Sequence, residues 1–191
     1  MQGHRLSIFA EMSMLAAETG AINLGQGFPD TDGPTEVLDA AVAAIRAGHN
    51  QYPPDRGIPE LRQAVAEHQD RFYGQEVDPD DVMVSTGASE AIGAAIMALV
   101  SEGQEVVVFE PYFDLYAAVI ALAGGVRRAV TLRAPDYSFD EAQLAAAIGP
   151  ETRLILLNTP HNPTGKVFSE AELAEIARLA ITHDLLVVTD E

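Results

Sequence analysis

Cysteine is absent from the 191-residue sequence, which excludes disulfides and thiolate metal sites. Lysine is nearly absent: Lys166 stands alone beside ten arginines. These 11 basic residues face 29 acidic ones, and the resulting formal charge of -18 argues against a nucleic acid or an anionic membrane surface as partner. Long apolar runs are missing too. The longest, such as residues 91–100, reach half of the roughly 20 residues that a membrane span needs. Arg5 followed by residues 6–17 loosely suggests a signal sequence, but Glu11 interrupts the apolar run, so a short helix or arm and a cytoplasmic protein are expected. There is no Gly-x-Gly-x-x-Gly and no Walker lysine loop, which weighs against dinucleotides and nucleoside triphosphates. No internal repeat or low-complexity linker breaks the chain.

What is present is a hydrophobic share of 48%, enough to bury a substantial core in one domain or in a domain with an arm. Residues 1–33 lack sustained periodicity and are rich in Gly, Pro and Asp around Gly25-Gln26-Gly27-Phe28-Pro29-Asp30, which predicts an extended arm. Apolar positions at helical spacing, with Pro at the start and Gly as the stop, predict helices over 34–47 and 59–73. From residue 82 onward β-rich runs alternate with helical ones. Strands are expected near 82–85, 105–109, 126–131, 153–157 and 185–189, and helices near 89–101, 112–123, 139–148 and 169–182. Ser138 with Glu141, and Ser169 with Glu172, have capping-box spacing at the last two helix starts. The alternation predicts an α/β fold, a mostly parallel sheet with helices on both faces, preceded by the arm.

In such a sheet the segments that follow the strands gather along one edge, where open α/β sheets bind ligands. Four polar or Gly-rich segments fall there: Thr86-Gly87-Ala88-Ser89, Glu110-Pro111-Tyr112-Phe113, Asn158 to Gly165, and Asp190. The amides of Gly87, Ala88 and Ser89 open a helix and suit a phosphate, although small residues at that place also simply permit a tight turn. Phe113 can offer a ring face to a planar ligand or pack in the core, the commoner fate of a Phe. Pro160 and Pro163 bias Thr159 and Asn162 away from the helical region, so the loop can hold the Asn162 amide in one direction. Asp190 ends the apolar run Leu185-Leu186-Val187-Val188-Thr189, where a carboxylate must be solvated, hydrogen-bonded or paired with a cation.

Together with Asn50-Gln51-Tyr52 and Thr189-Asp190-Glu191, these motifs occur in the order and spacing of fold-type I, class I and II, pyridoxal-phosphate-dependent aminotransferases. The sequence resembles above all the kynurenine, methionine and succinyldiaminopimelate aminotransferase subgroup. The resemblance spans Gly25 to Glu191. It implies that Gly87, Ala88 and Ser89 hold the phosphate of pyridoxal 5'-phosphate, Phe113 stacks on the pyridine ring, Asn162 bonds the ring hydroxyl and Asp190 pairs with the protonated ring nitrogen. It also implies that Gly27 lies near the substrate carboxylate and that Tyr52 reaches the phosphate of the neighbouring subunit in a homodimer. Residues 1–33 would be the arm on the substrate side, and 34–191 part of the cofactor-binding large domain.

The same resemblance requires a lysine that forms the Schiff base with the cofactor. Lys166 follows Asn162-Pro163-Thr164-Gly165, where the family does not place that residue, and it reads as a loop or helix-entry lysine. The expectation is therefore an N-terminal half of an aminotransferase, with the lysine, a further phosphate-binding segment and the small domain lying beyond Glu191. Its last strand would lack sheet partners, and the piece would be weakly stable or dependent on a partner. The implied reaction moves an amino group from an amino acid to a 2-oxo acid. A carbon-sulfur β-lyase of the same cofactor class and a non-catalytic cofactor-binding or dimerisation fragment remain as alternatives.

Overall fold

The computed structural model describes residues 8–25, 27, 29 and 31–191, and it divides at Val84 and Ser85 into two compact units. The first contains helices α1 (Ile8–Thr19), α2 (Thr35–Arg46) and α3 (Pro59–Tyr73), then a 3-10 turn over Pro79–Asp81. The expected arm thus contains a helix. Its Ala-, Met- and Glu-rich composition favours helix without needing a periodic apolar face, and none of its residues is buried. Within the Gly25 to Asp30 motif, Gln26, Phe28 and Asp30 lie outside the described residues. Helix α3 begins with Pro59 in its first turn and stops at Gly74, whose left-handed backbone (φ 64°) lets its amide reach Asp70 O. Arg62 on α3 then ties down the turn, donating from Nε to Pro79 O at 2.9 Å and Val82 O at 3.2 Å and pairing with Asp80.

The strand expected at 82–85 does not form. Val84 N donates to Arg56 O at 3.1 Å, a single loop contact, and no neighbouring strand among the described residues offers this segment a ladder. The contact instead explains Gly57. Its φ is +95°, and a Cβ there would stand 2.5 Å from Val84 Cγ2, so only glycine fits.

The second unit is the α/β body. It comprises α4 (Gly87–Leu99), β1 (Glu105–Glu110), α5 (Leu115–Leu122), β2 (Val126–Thr131), α6 (Glu141–Ala146), β3 (Thr152–Asn158), α7 (Glu170–Thr182) and β4 (Leu186–Asp190). All strands pair in parallel in the order β2-β1-β3-β4. The two central strands are buried along nearly their whole length, as a sheet covered on both faces requires, whereas the edge strand β4 alternates with exposed positions and β2 is exposed over its first three residues.

Side chains on β1 and β3 alternate between two cores. Val107, Phe109, Ile155 and Leu157 face Leu144 of α6 and Ile176 and Leu179 of α7. Val106, Val108, Leu154 and Leu156 face Ile92 and Ile96 of α4 and Tyr116, Val119 and Ile120 of α5. Each fully buried aliphatic side chain contributes about 1.5–3 kcal/mol, so these two layers hold the unit together. Helices therefore cover both faces, as the alternation of runs implies. No helix among the described residues is long and apolar enough to cross a membrane.

Boundaries move by a few residues where local side chains compete. Helix α7 starts as expected, with Ser169 Oγ accepting from Glu172 N and Glu172 accepting from Ser169 N. Helix α6 does not start at Ser138. Asp140 is its cap, accepting from Ala142 N at 2.8 Å, while Ser138 turns back to Asp136. Asp140 lies nearer the helix and bears the stronger acceptor, so the Ser138 and Glu141 box is not formed. Helix α5 begins at Leu115, which leaves Tyr112 and Phe113 in the loop after β1 rather than in the helix.

Candidate active site at the carboxyl edge of the sheet

Strand order places a topological switch between β1 and β3. The chain leaves β1 toward β2 on one side, and from β3 it proceeds to β4 on the other. The crevice at such a switch is where open α/β sheets bind ligands. The residues that follow β1, β3 and β4 converge on it.

The centre is Asp190, the last residue of β4, in register with Asn158 at the end of β3. Asn158 is buried and ties three pieces of backbone together. Its Nδ2 donates to Asp190 O at 2.7 Å, and its Oδ1 accepts from Asn162 N at 2.6 Å. Thr159 N also donates to Asp190 O, at 3.1 Å. The loop is closed further on itself: Gly165 N donates to His161 O at 2.7 Å, and His161 N to Lys166 O at 2.8 Å. These bonds, together with the two prolines, fix the position of Asn162 while its side-chain amide stays exposed, with no partner among the described residues.

The Asp190 carboxylate reaches across to α5, where the Tyr116 hydroxyl donates to Oδ2. Burial first, and then this carboxylate, push the Tyr116 phenol well above its ordinary value, so it remains a protonated donor. Among the described residues nothing donates to Oδ1. The Tyr116 ring meets Phe113 edge-on, with centroids 5.9 Å apart at 85°. Phe113 and Asp190 thus share one neighbour.

The opening turn of α4 is prepared from below. Gly87 takes φ +80°, which permits the sharp entry from Thr86. Ser85 Oγ donates to Gly87 O at 3.0 Å, Gly87 N to Ser85 O at 2.9 Å, and Thr86 N to Glu90 Oε2 at 2.5 Å. The Thr86 amide holds the Glu90 carboxyl below the usual range, keeping it an anion that braces the turn. The Gly87 amide is therefore committed within the protein. Those of Ala88 and Ser89 point from the first turn of a 13-residue helix with no acceptor among the described residues, as anion-binding amides do.

The family model for aminotransferase class I and II matches residues 19–191. The chain belongs to that aminotransferase family. It is 48% identical over 195 residues to a probable N-succinyldiaminopimelate aminotransferase of Mycobacterium tuberculosis, covering all of this chain and 49% of that protein. It is 43% identical over 186 residues to the methionine aminotransferase of Escherichia coli K12, covering 97% of this chain and 48% of that protein. The solved structure of an Escherichia coli methionine aminotransferase superposes with a TM-score of 0.94 at 41% identity, over all of this chain and 50% of that one. The Mycobacterium tuberculosis N-succinyldiaminopimelate aminotransferase structure gives 0.93 at 49% identity, over 97% and 49%. The chain spans about half the length of the relatives it matches.

Within this aminotransferase chain the second unit brings together Phe113, Asn162 and Asp190 through Tyr116 and Asn158, and it carries Gly87, Ala88 and Ser89 at the start of the helix packed on β4. Tyr52 and Gly27 belong to the first unit, where both are exposed. Lys166 is occupied. Its Nζ pairs with Glu172 Oε1 at 2.8 Å and lies 5.1 Å from the Phe168 ring centroid, and the side chain is 8% exposed. Burial acts against the Glu172 charge, but the bonds from Lys166 and Ser169 outweigh it and hold that carboxyl below its usual range. The lysine thus braces the entry to α7. Tyr116 is absent from the sequence motifs, and Asn158 opens one of them without an assigned role, because their partner Asp190 lies 74 and 32 residues further along the chain. The one available signal was a polar group at an otherwise core position.

Proposed function

We propose that the protein carrying this chain is a pyridoxal-phosphate-dependent aminotransferase that moves an amino group from an amino acid to a 2-oxo acid. The observation that carries this reading is the anchored Asp190 carboxylate at the sheet's switch point, with one oxygen held by Tyr116 and the other left to a ligand. The remaining groups suit such a cofactor in chemistry as well: two amides for an anion, a ring for a ring, and a fixed carboxamide for a hydroxyl.

When bound, the cofactor supplies an electron sink for the pair released at the substrate Cα. Around it, the Ala88 and Ser89 amides take the phosphate, and Gly87 contributes the backbone turn that aims them. The Asn162 carboxamide bonds the ring hydroxyl, Phe113 covers one ring face, and Asp190 holds the proton on the ring nitrogen. Gly27 lies near the substrate carboxylate, and Tyr52 reaches the phosphate of the second subunit of a homodimer. The Schiff-base lysine is not Lys166, whose amine is committed to Glu172. Residues 1–33 serve the substrate side, residues 34–191 form part of the cofactor domain, and the protein works in the cytoplasm.

Equilibrium binding of pyridoxal phosphate, followed by its absorbance, tests the site. Asp190→Ala is expected to weaken binding at least tenfold, consistent with the loss of a charge-assisted hydrogen bond worth about 1.5–3 kcal/mol. Equal affinity in the variant would refute the site. In the complete protein, formation of a keto acid with a new amino acid supports transamination, whereas pyruvate with ammonia would assign it to the β-eliminating lyases.

A further inference from the structure

Tyr116 is a polar residue placed in a core. Its side chain is 2% exposed and packs with Ile92, Ile96, Val119 and Ile120 between α4, α5 and the sheet. Phenylalanine would fill that space without a hydroxyl that needs a partner, and a buried hydroxyl without one is costly. The partner is the Asp190 Oδ2 atom. The same ring stands edge-on to Phe113 at 5.9 Å and stacks at 26° on Tyr112, with centroids 6.5 Å apart. Tyr112 carries Arg127 at 5.1 Å from its ring centroid, which closes the cluster on the β2 side. A single side chain therefore touches both the carboxylate and the ring on which cofactor recognition rests.

The terminal torsion of an aspartate is broad and roughly two-fold, so a carboxylate with no lateral bond turns freely. A bond to one oxygen selects a rotation and leaves the other oxygen facing outward. We infer that Tyr116 is the positioning residue of the site: its hydroxyl fixes Asp190 so that Oδ1 meets the protonated ring nitrogen of the cofactor, while its ring edge sets the tilt of Phe113. This inference rests on the reading of the site as a pyridoxal phosphate site. It goes beyond that reading by assigning selectivity for the ring nitrogen to a residue that does not touch the ligand.

The probes are pyridoxal phosphate and its 1-deaza analogue, in which a C–H replaces the ring nitrogen. The wild-type protein prefers the natural cofactor, and Tyr116→Phe reduces that preference about tenfold while affinity for the analogue stays nearly unchanged. Equal weakening of both ligands would overturn the inference, since loss of packing alone cannot distinguish N from C–H. Failure of the wild-type protein to bind either ligand would instead overturn the proposed function. Should Tyr116→Phe fold poorly by circular dichroism, the apo protein with ring-labelled tyrosine provides a second reading. There the Tyr116 Cζ resonance shifts in Asp190→Ala relative to wild type, and an unchanged resonance would show that no such bond exists.

Discussion

At the scale of single residues, two side chains in the Asn158 to Lys166 loop have consequences that can be measured. Lys166 is the chain's only side-chain amine, and its place against Glu172 and Phe168 makes it a brace. Lys166→Met keeps the stem on the ring and removes the ion pair. It should lower the free energy of unfolding by about 1–2 kcal/mol in urea titrations and leave pyridoxal phosphate affinity unchanged. Borohydride treatment in the presence of the cofactor should leave Lys166 unmodified, and a reduced adduct mapped to it would defeat this assignment. His161 is 3% exposed, with Nδ1 2.8 Å from Thr164 Oγ1. Burial, and then the nearby Lys166 charge, lower its pKa from 6.5, despite an opposing bond with the Phe109 backbone. The unfolded chain then takes up a proton at a higher pH than the folded one. Stability is unaffected above that ordinary value and declines as pH falls through and below it. His161→Gln should flatten this slope below about pH 6.5; an unchanged slope would assign the pH dependence to other groups.

At the scale of elements, local chemistry and long-range pairing part company. Ser169 and Glu172 make a full capping box on α7, so Ser169→Ala should cost about 1 kcal/mol in chemical unfolding. Ser138 has the same spacing to a glutamate but bonds Asp136 outside the helix, so Ser138→Ala should stay within about 0.5 kcal/mol. Comparable costs for the two substitutions would show that spacing alone sets the cap. The central strands β1 and β3 and the helix α3 were legible because their signals are local: unbroken apolar runs, a Pro at the start and a Gly at the stop. Residues 82–85 carry an equally β-like run, yet a strand exists only with a neighbour, and that neighbour is not a property of four residues. The candidate site was legible in the same measure. Gly87, Phe113, Asn158, Asn162 and Asp190 sit in motifs, whereas Tyr116 does not, and the roles of both Tyr116 and Asn158 depend on a distant partner. The committed Gly87 amide is likewise a matter of a two-residue turn that its motif does not reveal.

At the scale of the whole molecule, charge is the dominant unbalanced quantity. The formal charge is -18, and the ion pairs among the described residues engage only Arg62, Arg128, Lys166 and Arg178. Lys166 with Glu172 is the most buried of these, while Arg128 with Glu105 is joined by Thr152 Oγ1, which donates to Glu105 at 3.2 Å and links the starts of β1 and β3. Arg128 is nevertheless half exposed, and surface pairs of this kind are worth about 0–1 kcal/mol each. Salt can therefore remove little stabilisation from them. Against this, 29 carboxylates in a 20.4 kDa chain repel one another most strongly in the folded state, where they are closest together. Raising ionic strength from about 0.01 M to about 0.15 M shortens the screening length from about 30 Å to about 8 Å, which suppresses repulsion between groups that do not touch. Thermal unfolding at neutral pH should consequently shift upward with sodium chloride over this range. The same rise should be produced by potassium chloride, which marks screening rather than binding of one ion. A midpoint that fell with added salt would mean that the few ion pairs outweigh the acidic excess.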